Sequence, residues 1–302
     1  MERSSHWVRL FAFVLLLAAN GLAQQPSGAT FTSGGIPIYY EVLGNATGTP
    51  LVVVNGGPGF DHTYLLTSPV WQTIAKSRRV VFYDQRGTGR SVAPKGGSYT
   101  LVENMEDLDG LRAQLGAERL DLLGHSWGGF LAMAYAARHP DRIAHLLLVD
   151  SGAPKLSDTV FLFKDVFPDV TVRQEALAFA NELGEKAAID TDLREYISML
   201  FYSLEKRNAF IAQFSPSAYH KEVNQAVWKD ASRFDLNPEL GKFSFSTAVI
   251  TGRFDMNVAP SVAYKINQQI KGSRLVIFER SGHLPFYEEP DRFSAVVDEF
   301  LK

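Results

Sequence analysis

The chain has 302 residues, 46% hydrophobic and 21% charged, with a formal net charge of −3 and no cysteine. That balance leaves no electrostatic footprint for nucleic acid. The missing thiols exclude a disulfide framework, a cysteine nucleophile and a thiolate metal site, so covalent chemistry falls to serine and the remaining side chains.

At the N-terminus, Arg3 and Arg9 precede an apolar run at 10–19, and Asn20-Gly21-Leu22-Ala23 places small residues at the minus-three and minus-one positions. This is the pattern of a signal peptide cleaved after Ala23. The run is shorter than the ~20 residues of a spanning helix, so no stable membrane insertion is expected after cleavage, and the product is expected to be secreted or periplasmic. Pro26-Ser27-Gly28 reads as a short flexible leader.

A Gly34-Gly35 hairpin then separates strands predicted at 30–33 and 36–43. Further strands follow at 51–55, 79–83, 120–123, 146–149, 247–251 and 274–279, with a closing helix at 291–301. Apolar strands without clean alternation, separated by helices, predict an α/β fold with a mostly parallel sheet flanked by helices on both faces. Between 152 and 240 the pattern turns to aromatic-rich, charged helical stretches at 172–183, 191–204 and 219–232. The expected organisation is therefore a signal peptide at 1–23, a core at 24–152 and 241–302, and a helical cap inserted at 153–240, placed to exclude water and shape a pocket.

The most informative stretch is Gly124-His125-Ser126-Trp127-Gly128, which follows an apolar run and opens a helix. Small residues on both sides are what a sharp strand-to-helix turn bearing a strained, exposed serine requires. A serine hydroxyl is a weak nucleophile, so a base must take its proton and a carboxylate must orient the base. Asp255, just past one predicted strand, and His283, just past the last, supply both in the chain order Ser, Asp, His. Asp150, after the strand that follows the nucleophile helix, is the alternative acid, whereas Asp141 reads as a surface residue at a helix end. Two backbone N–H groups must receive the developing oxyanion. Trp127, next to the nucleophile, offers one; Gly57, in the turn Asn55-Gly56-Gly57-Pro58-Gly59, offers the other, with Gly56 as its alternative. The run Asp84-Gln85-Arg86-Gly87-Thr88-Gly89-Arg90-Ser91 lacks the spacing and Lys-Ser/Thr ending of a phosphate-binding loop, and Asp84 and Arg86 are expected to brace the loops beneath the site.

With these motifs and Ser281–Pro290 in place, the chain resembles the α/β-hydrolase superfamily, and within it the prolyl aminopeptidase (proline iminopeptidase) family of serine peptidases. By position, Ser126, Asp255 and His283 match that family's triad, and Gly57 with Trp127 its oxyanion hole. The resemblance implies an α/β-hydrolase fold with a helical cap and neither an organic cofactor nor a metal. It also implies an aminopeptidase, exported here on the strength of the N-terminal pattern above, that acts on a small-molecule or short-peptide substrate and releases an N-terminal residue of proline type. Two features depart from the family pattern. Asn55 stands where the family's turn usually begins with His, and the cap glutamates that hold a free amine have no aligned counterpart among Glu175, Glu182, Glu185, Glu195, Glu205 and Glu222. An esterase, lactonase or amidase with the same triad is the alternative, and a non-catalytic ligand-binding protein on the same fold is the remote one.

Overall fold

The computed structural model of the protein describes residues 27–91, 96 and 98–302. The predicted signal peptide at 1–23 lies outside the described residues. Eight strands, β1 (Ser27–Ser33), β2 (Ile36–Leu43), β3 (Leu51–Val54), β4 (Val80–Tyr83), β5 (Leu120–His125), β6 (Ile143–Val149), β7 (Ser246–Gly252) and β8 (Arg274–Phe278), form one sheet in the order β1-β2-β4-β3-β5-β6-β7-β8. β2 pairs antiparallel with β1 and β4, and every other pairing is parallel. All residues of β3, β4 and β5 are buried; β3 and β4 are unbroken apolar runs, as in a sheet covered on both faces, and in β5 the buried Asp121 is paired with His145 and Arg78.

The helices are α1 (Val70–Ile74), α2 (Leu101–Gln114), α3 (Trp127–Arg138), α4 (Phe163–Val166), α5 (Pro168–Glu182), α6 (Lys186–Ser198), α7 (Leu204–Gln213), α8 (Lys221–Ala231), α9 (Asn237–Leu240), α10 (Pro260–Gln269), α11 (Pro285–Glu288) and α12 (Pro290–Phe300). Successive strand residues point to opposite faces, and two cores result. Val52, Val54, Leu122 and Leu148 pack with Leu108 of α2, Phe130 of α3 and Ile266 of α10. Val53, Leu123 and Leu147 pack with Trp71 of α1 and Phe293 of α12. The parallel strands all end at one edge, so the loops after β3, β5, β6, β7 and β8 converge there, which is where open α/β sheets place their ligands.

Three differences from the sequence reading have a plain physical reason. β5 continues through Gly124 and His125 because both still pair with β6, at Leu148 and Val149. Ser27 and Gly28 are not a loose leader but the start of β1, opposite Val42 and Glu41. The helix expected at 191–204 is two helices, α6 and α7, because the Leu200 carbonyl leaves the helical pattern to accept the His283 N–H at 2.7 Å, and Ser203 caps α7 by accepting from Lys206 N.

The helices α4 to α9 lie between β6 and β7 and touch the converging loops. His220 N donates to Gly59 O at 2.8 Å, Asn224 Nδ2 to Pro58 O at 2.7 Å, and the backbone N–H groups of Tyr202 and Ser203 both reach Glu288 Oε1. No helix among the described residues is long and apolar enough to cross a membrane.

Candidate active site

Ser126 ends β5 and opens α3 with φ 57° and ψ −121°, a conformation costly for a residue with a Cβ, by about 1–3 kcal/mol. Its backbone is tied on both sides: Ser126 N donates to Val149 O at 2.9 Å, and Ser126 O accepts from Gly129 N and Gly152 N. A Cβ on Gly124 would strike the Gly128 carbonyl oxygen, and one on Gly128 the Val54 carbonyl oxygen. These two glycines are therefore what lets α3 spring from the strand end this tightly.

His283 and Asp255, from the loops after β8 and β7, meet at the same edge. His283 Nδ1 is 2.7 Å from Asp255 Oδ2, and both residues are buried. Asp255 Oδ1 accepts the backbone N–H groups of Asn257 and Val258 at 2.8 and 2.9 Å. With Nδ1–H donated to the carboxylate, Nε2 of His283 is an acceptor, and Asn257 Nδ2 lies 3.0 Å from it. The His283 loop is fixed from both ends: Gly282 N donates to Glu288 Oε2 at 2.6 Å and His283 N to Leu200 O. Asp150 is also buried at this edge, but His283 Nδ1 bonds to Asp255, not to it. Asp141 is exposed.

Ser126, Trp127, Gly57, Phe60 and Asn257 line a cavity of ≈ 450 Å³ closed by residues of α5, α6 and α8, and Ser126, Gly56, Gly57 and His283 line a smaller one of ≈ 40 Å³ beside it. Gly56 is not a free oxyanion donor. Its N–H is taken by the Tyr64 hydroxyl at 2.6 Å, and that hydroxyl in turn donates to His125 Nδ1 at 2.7 Å, whose Nε2–H reaches the His283 carbonyl at 2.8 Å. Burial, reinforced by the neighbouring His283, holds His125 well below the usual histidine range, so it is a neutral strut. Tyr64 and His125 escaped the sequence reading; the one local signal is that His125 is the residue before the nucleophile.

Asn55 does not leave the turn loose. Its Nδ2 donates to Phe60 O at 2.7 Å across the glycine loop, while Gln85 Nε2 donates to Asn55 O at 2.8 Å and Gln85 Oε1 accepts from the Trp127 indole N–H at 2.8 Å. One buried side chain thus joins the two elements that carry Gly57 and Trp127. Arg86 braces this loop through a two-pronged pairing with Asp107, at 2.7 and 2.8 Å, and Asp84 accepts from His62 Nδ1 at 2.6 Å and Arg90 N at 2.8 Å.

None of the six glutamates considered from the sequence lines the cavity; Glu195, for example, pairs with Arg173 on the surface. Its carboxylate is Asp192, in α6, held by Gln174 Nε2 at 2.9 Å and Asn181 Nδ2 at 2.8 Å, with Lys221 bonded to the Asn181 carbonyl. Asp192 was not visible in advance, because only the packing of α5 against α6 turns it toward the cavity.

Comparison with known proteins places this geometry. Residues 49–290 match the family described as alpha/beta hydrolase fold. The chain is 32% identical to a proline iminopeptidase of Saccharolobus solfataricus over 88% of this chain and 89% of that one. Among solved structures, it is similar to a thermophilic esterase from Thermogutta terrifontis (28% identity, TM-score 0.70, covering 92% of this chain and 98% of that one). It is also similar to an enol-lactonase from Burkholderia xenovorans LB400 (27%, TM-score 0.71, covering 90% and 99%). The chain belongs to the α/β-hydrolase fold family and is a serine hydrolase.

Proposed function

We propose that this hydrolase is an exported aminopeptidase that releases an N-terminal residue, of proline type, from short peptides, using Ser126, His283 and Asp255. The observation that carries the reading is the 2.7 Å contact of His283 Nδ1 with Asp255 Oδ2 beside a serine held at a strained elbow. Asp255 fixes the tautomer that leaves Nε2 to accept the Ser126 proton, and Asn257 gives way there to the serine hydroxyl. Ser126 Oγ attacks the substrate carbonyl, the amides of Gly57 and Trp127 receive the oxyanion, and His283 returns the proton to the leaving amine. The acyl-enzyme is then hydrolysed by water along the same path. Residues 1–23 support export and 153–240 a cap over the pocket, as the sequence reading has them, which gives a secreted or periplasmic enzyme.

The substrate class rests on Asp192 and on the likeness to proline iminopeptidase. A carboxylate anchored by two carboxamides on the cavity wall suits a free ammonium group. A second reading, an esterase or lactonase on a small acyl substrate, is favoured by the aromatic part of the lining, Phe60, Phe161, Phe163 and Trp228 among it, and by the esterase and lactonase neighbours.

Hydrolysis of proline p-nitroanilide against its N-acetylated form separates the two. Cleavage of only the free amine, lost in Ser126→Ala and with KM raised about tenfold or more in Asp192→Asn, is the expected result, a charge-assisted hydrogen bond contributing about 1.5–3 kcal/mol. Equal cleavage of both removes the amine clamp. Cleavage of neither, with turnover of p-nitrophenyl esters, establishes the esterase reading.

A further inference from the structure

Among the described residues only two other than glycine have positive φ: Ser126, at 57°, and Asp150, at 45°. Both stand at the end of a central parallel strand. Backbone held in this region is retained where the surroundings over-determine it, and such outliers cluster at working sites. Asp150 does nothing in the reaction described above, yet it is 1% exposed and its carboxyl lies against that of Asp255, which is fully buried. One carboxylate oxygen of Asp150 and one ring nitrogen each of His125 and His283 lie within 4.8 Å of one another.

Two buried carboxylates in contact cannot both ionise without large cost, and the one with fewer donors keeps the proton. Asp255 has three: the N–H groups of Asn257 and Val258 and the His283 ring. Asp150 has two: the Gly252 N–H on Oδ1 at 2.9 Å and the Thr251 side chain, while its Oδ2 has no hydrogen-bond partner among the described residues. Among the described residues, Asp255 ion-pairs only with His283, and Asp150 with no cation. A buried carboxyl oxygen left without a donor beside another carboxylate makes sense if it carries a proton, because then it is itself a donor. The titratable groups that face Asp150 are Asp255, His283 and His125. His125 is held neutral, so no cation opposes this assignment.

We propose that Asp150 is a positioning residue: a neutral carboxyl whose Oδ2–H is donated to Asp255, keeping that carboxylate aligned on His283, and which gives up this proton to serve His283 itself when Asp255 is removed. The inference rests on the triad reading above. Burial first, then the charge of Asp255, drives Asp150 well above the usual carboxylate range, in the same direction as the geometry.

The test uses the mature protein with p-nitrophenyl acetate as reporter, together with infrared difference spectra. Asp150→Asn keeps both hydrogen bonds, since its amide accepts from Gly252 and donates to Asp255; Asp150→Ala loses both. Asp150→Ala is expected to lower kcat/KM about tenfold and move its acid limb upward by about one pH unit, with Asp150→Asn restoring most of both. Asp255→Asn is expected to keep measurable turnover that rises with pH as Asp150 ionises, and Asp255→Asn/Asp150→Asn to fall to the Ser126→Ala level. The wild-type minus Asp150→Asn infrared spectrum at neutral pH is expected to show the carbonyl band of a protonated carboxyl. Loss of carboxylate bands instead, or a double variant no slower than Asp255→Asn, overturns the proposal. Undiminished turnover by Ser126→Ala or His283→Ala overturns the triad reading separately, and the infrared result stands independently of turnover.

Discussion

Gln85 is the side chain whose removal tests most about how the site is held. It is 3% exposed and makes three contacts: Nε2 to Asn55 O at 2.8 Å and to Asn55 Oδ1 at 3.1 Å, and Oε1 to the Trp127 indole N–H at 2.8 Å. Gln85→Met preserves volume but orphans the buried indole N–H and the buried Asn55 carbonyl, at about 1–3 kcal/mol each. A loss near 4 kcal/mol, at about 2–4 °C per kcal/mol, lowers the melting temperature by roughly 10 °C. Without this link the turn carrying Gly57 and the helix start carrying Trp127 lose their shared register, and a misplacement approaching 1 Å costs up to about 100-fold in kcat. Steady-state kinetics and thermal melting of Gln85→Met should therefore show kcat down 10- to 100-fold, by that reasoning, with KM little changed. Gln85→Glu sharpens the test. Its acid form has one donor and one acceptor in the same places, so it should approach wild-type stability and kcat as pH falls, whereas its buried anion should not. Wild-type kcat and an unchanged melting temperature in Gln85→Met would refute the reasoning.

Tyr64→Phe leaves both the Gly56 N–H and His125 Nδ1 without a partner, and urea denaturation should show about 2–4 kcal/mol lost, with kcat also reduced; a loss under about 0.5 kcal/mol contradicts the network. His62 sets a pH window for stability. Burial pulls its pKa down, but the hydrogen bonds and charges of Asp84 and Glu41 outweigh this and hold it at about 9 against an ordinary 6.5. A raised histidine stabilises fully below the unfolded value, so this contribution should be intact below pH 6.5 and lost as pH rises through about 9. Glu41, held at about 2 chiefly by its bond to His62, stabilises fully above 4.5 and loses this as pH falls through about 2. Urea midpoints from pH 6 to 10 should decline more steeply in the wild type than in His62→Gln; parallel profiles would sink the assignment.

The features legible in the sequence are those written in local backbone physics. A strained elbow needs Gly124 and Gly128, a strand buried on both faces needs an unbroken apolar run such as 51–54, and Asp255 and His283 stand just past the ends of such strands. What escaped depends on partners far apart in the chain. Tyr64 and His125 are 61 residues apart, Gln85 and Trp127 are 42, and nothing near any of them in the sequence announces the contact. The break between α6 and α7 is of the same kind. Met199-Leu200-Phe201-Tyr202 has helical composition, but Leu200 O is claimed by His283 N, and the N–H groups of Tyr202 and Ser203 by Glu288. Tertiary hydrogen bonds there override local preference. Asp192 escaped for a related reason: charge in a helical segment says little about which face meets the pocket, and only packing brings Asp192 there while the six glutamates stay off the lining.

The most direct measurement is covalent labelling of the folded protein with a fluorophosphonate, followed by intact mass and peptide mapping. The account predicts a single adduct, on Ser126, absent from Ser126→Ala and formed far more slowly in His283→Ala. An adduct on another residue, or none on a folded protein that still hydrolyses substrate, would contradict it.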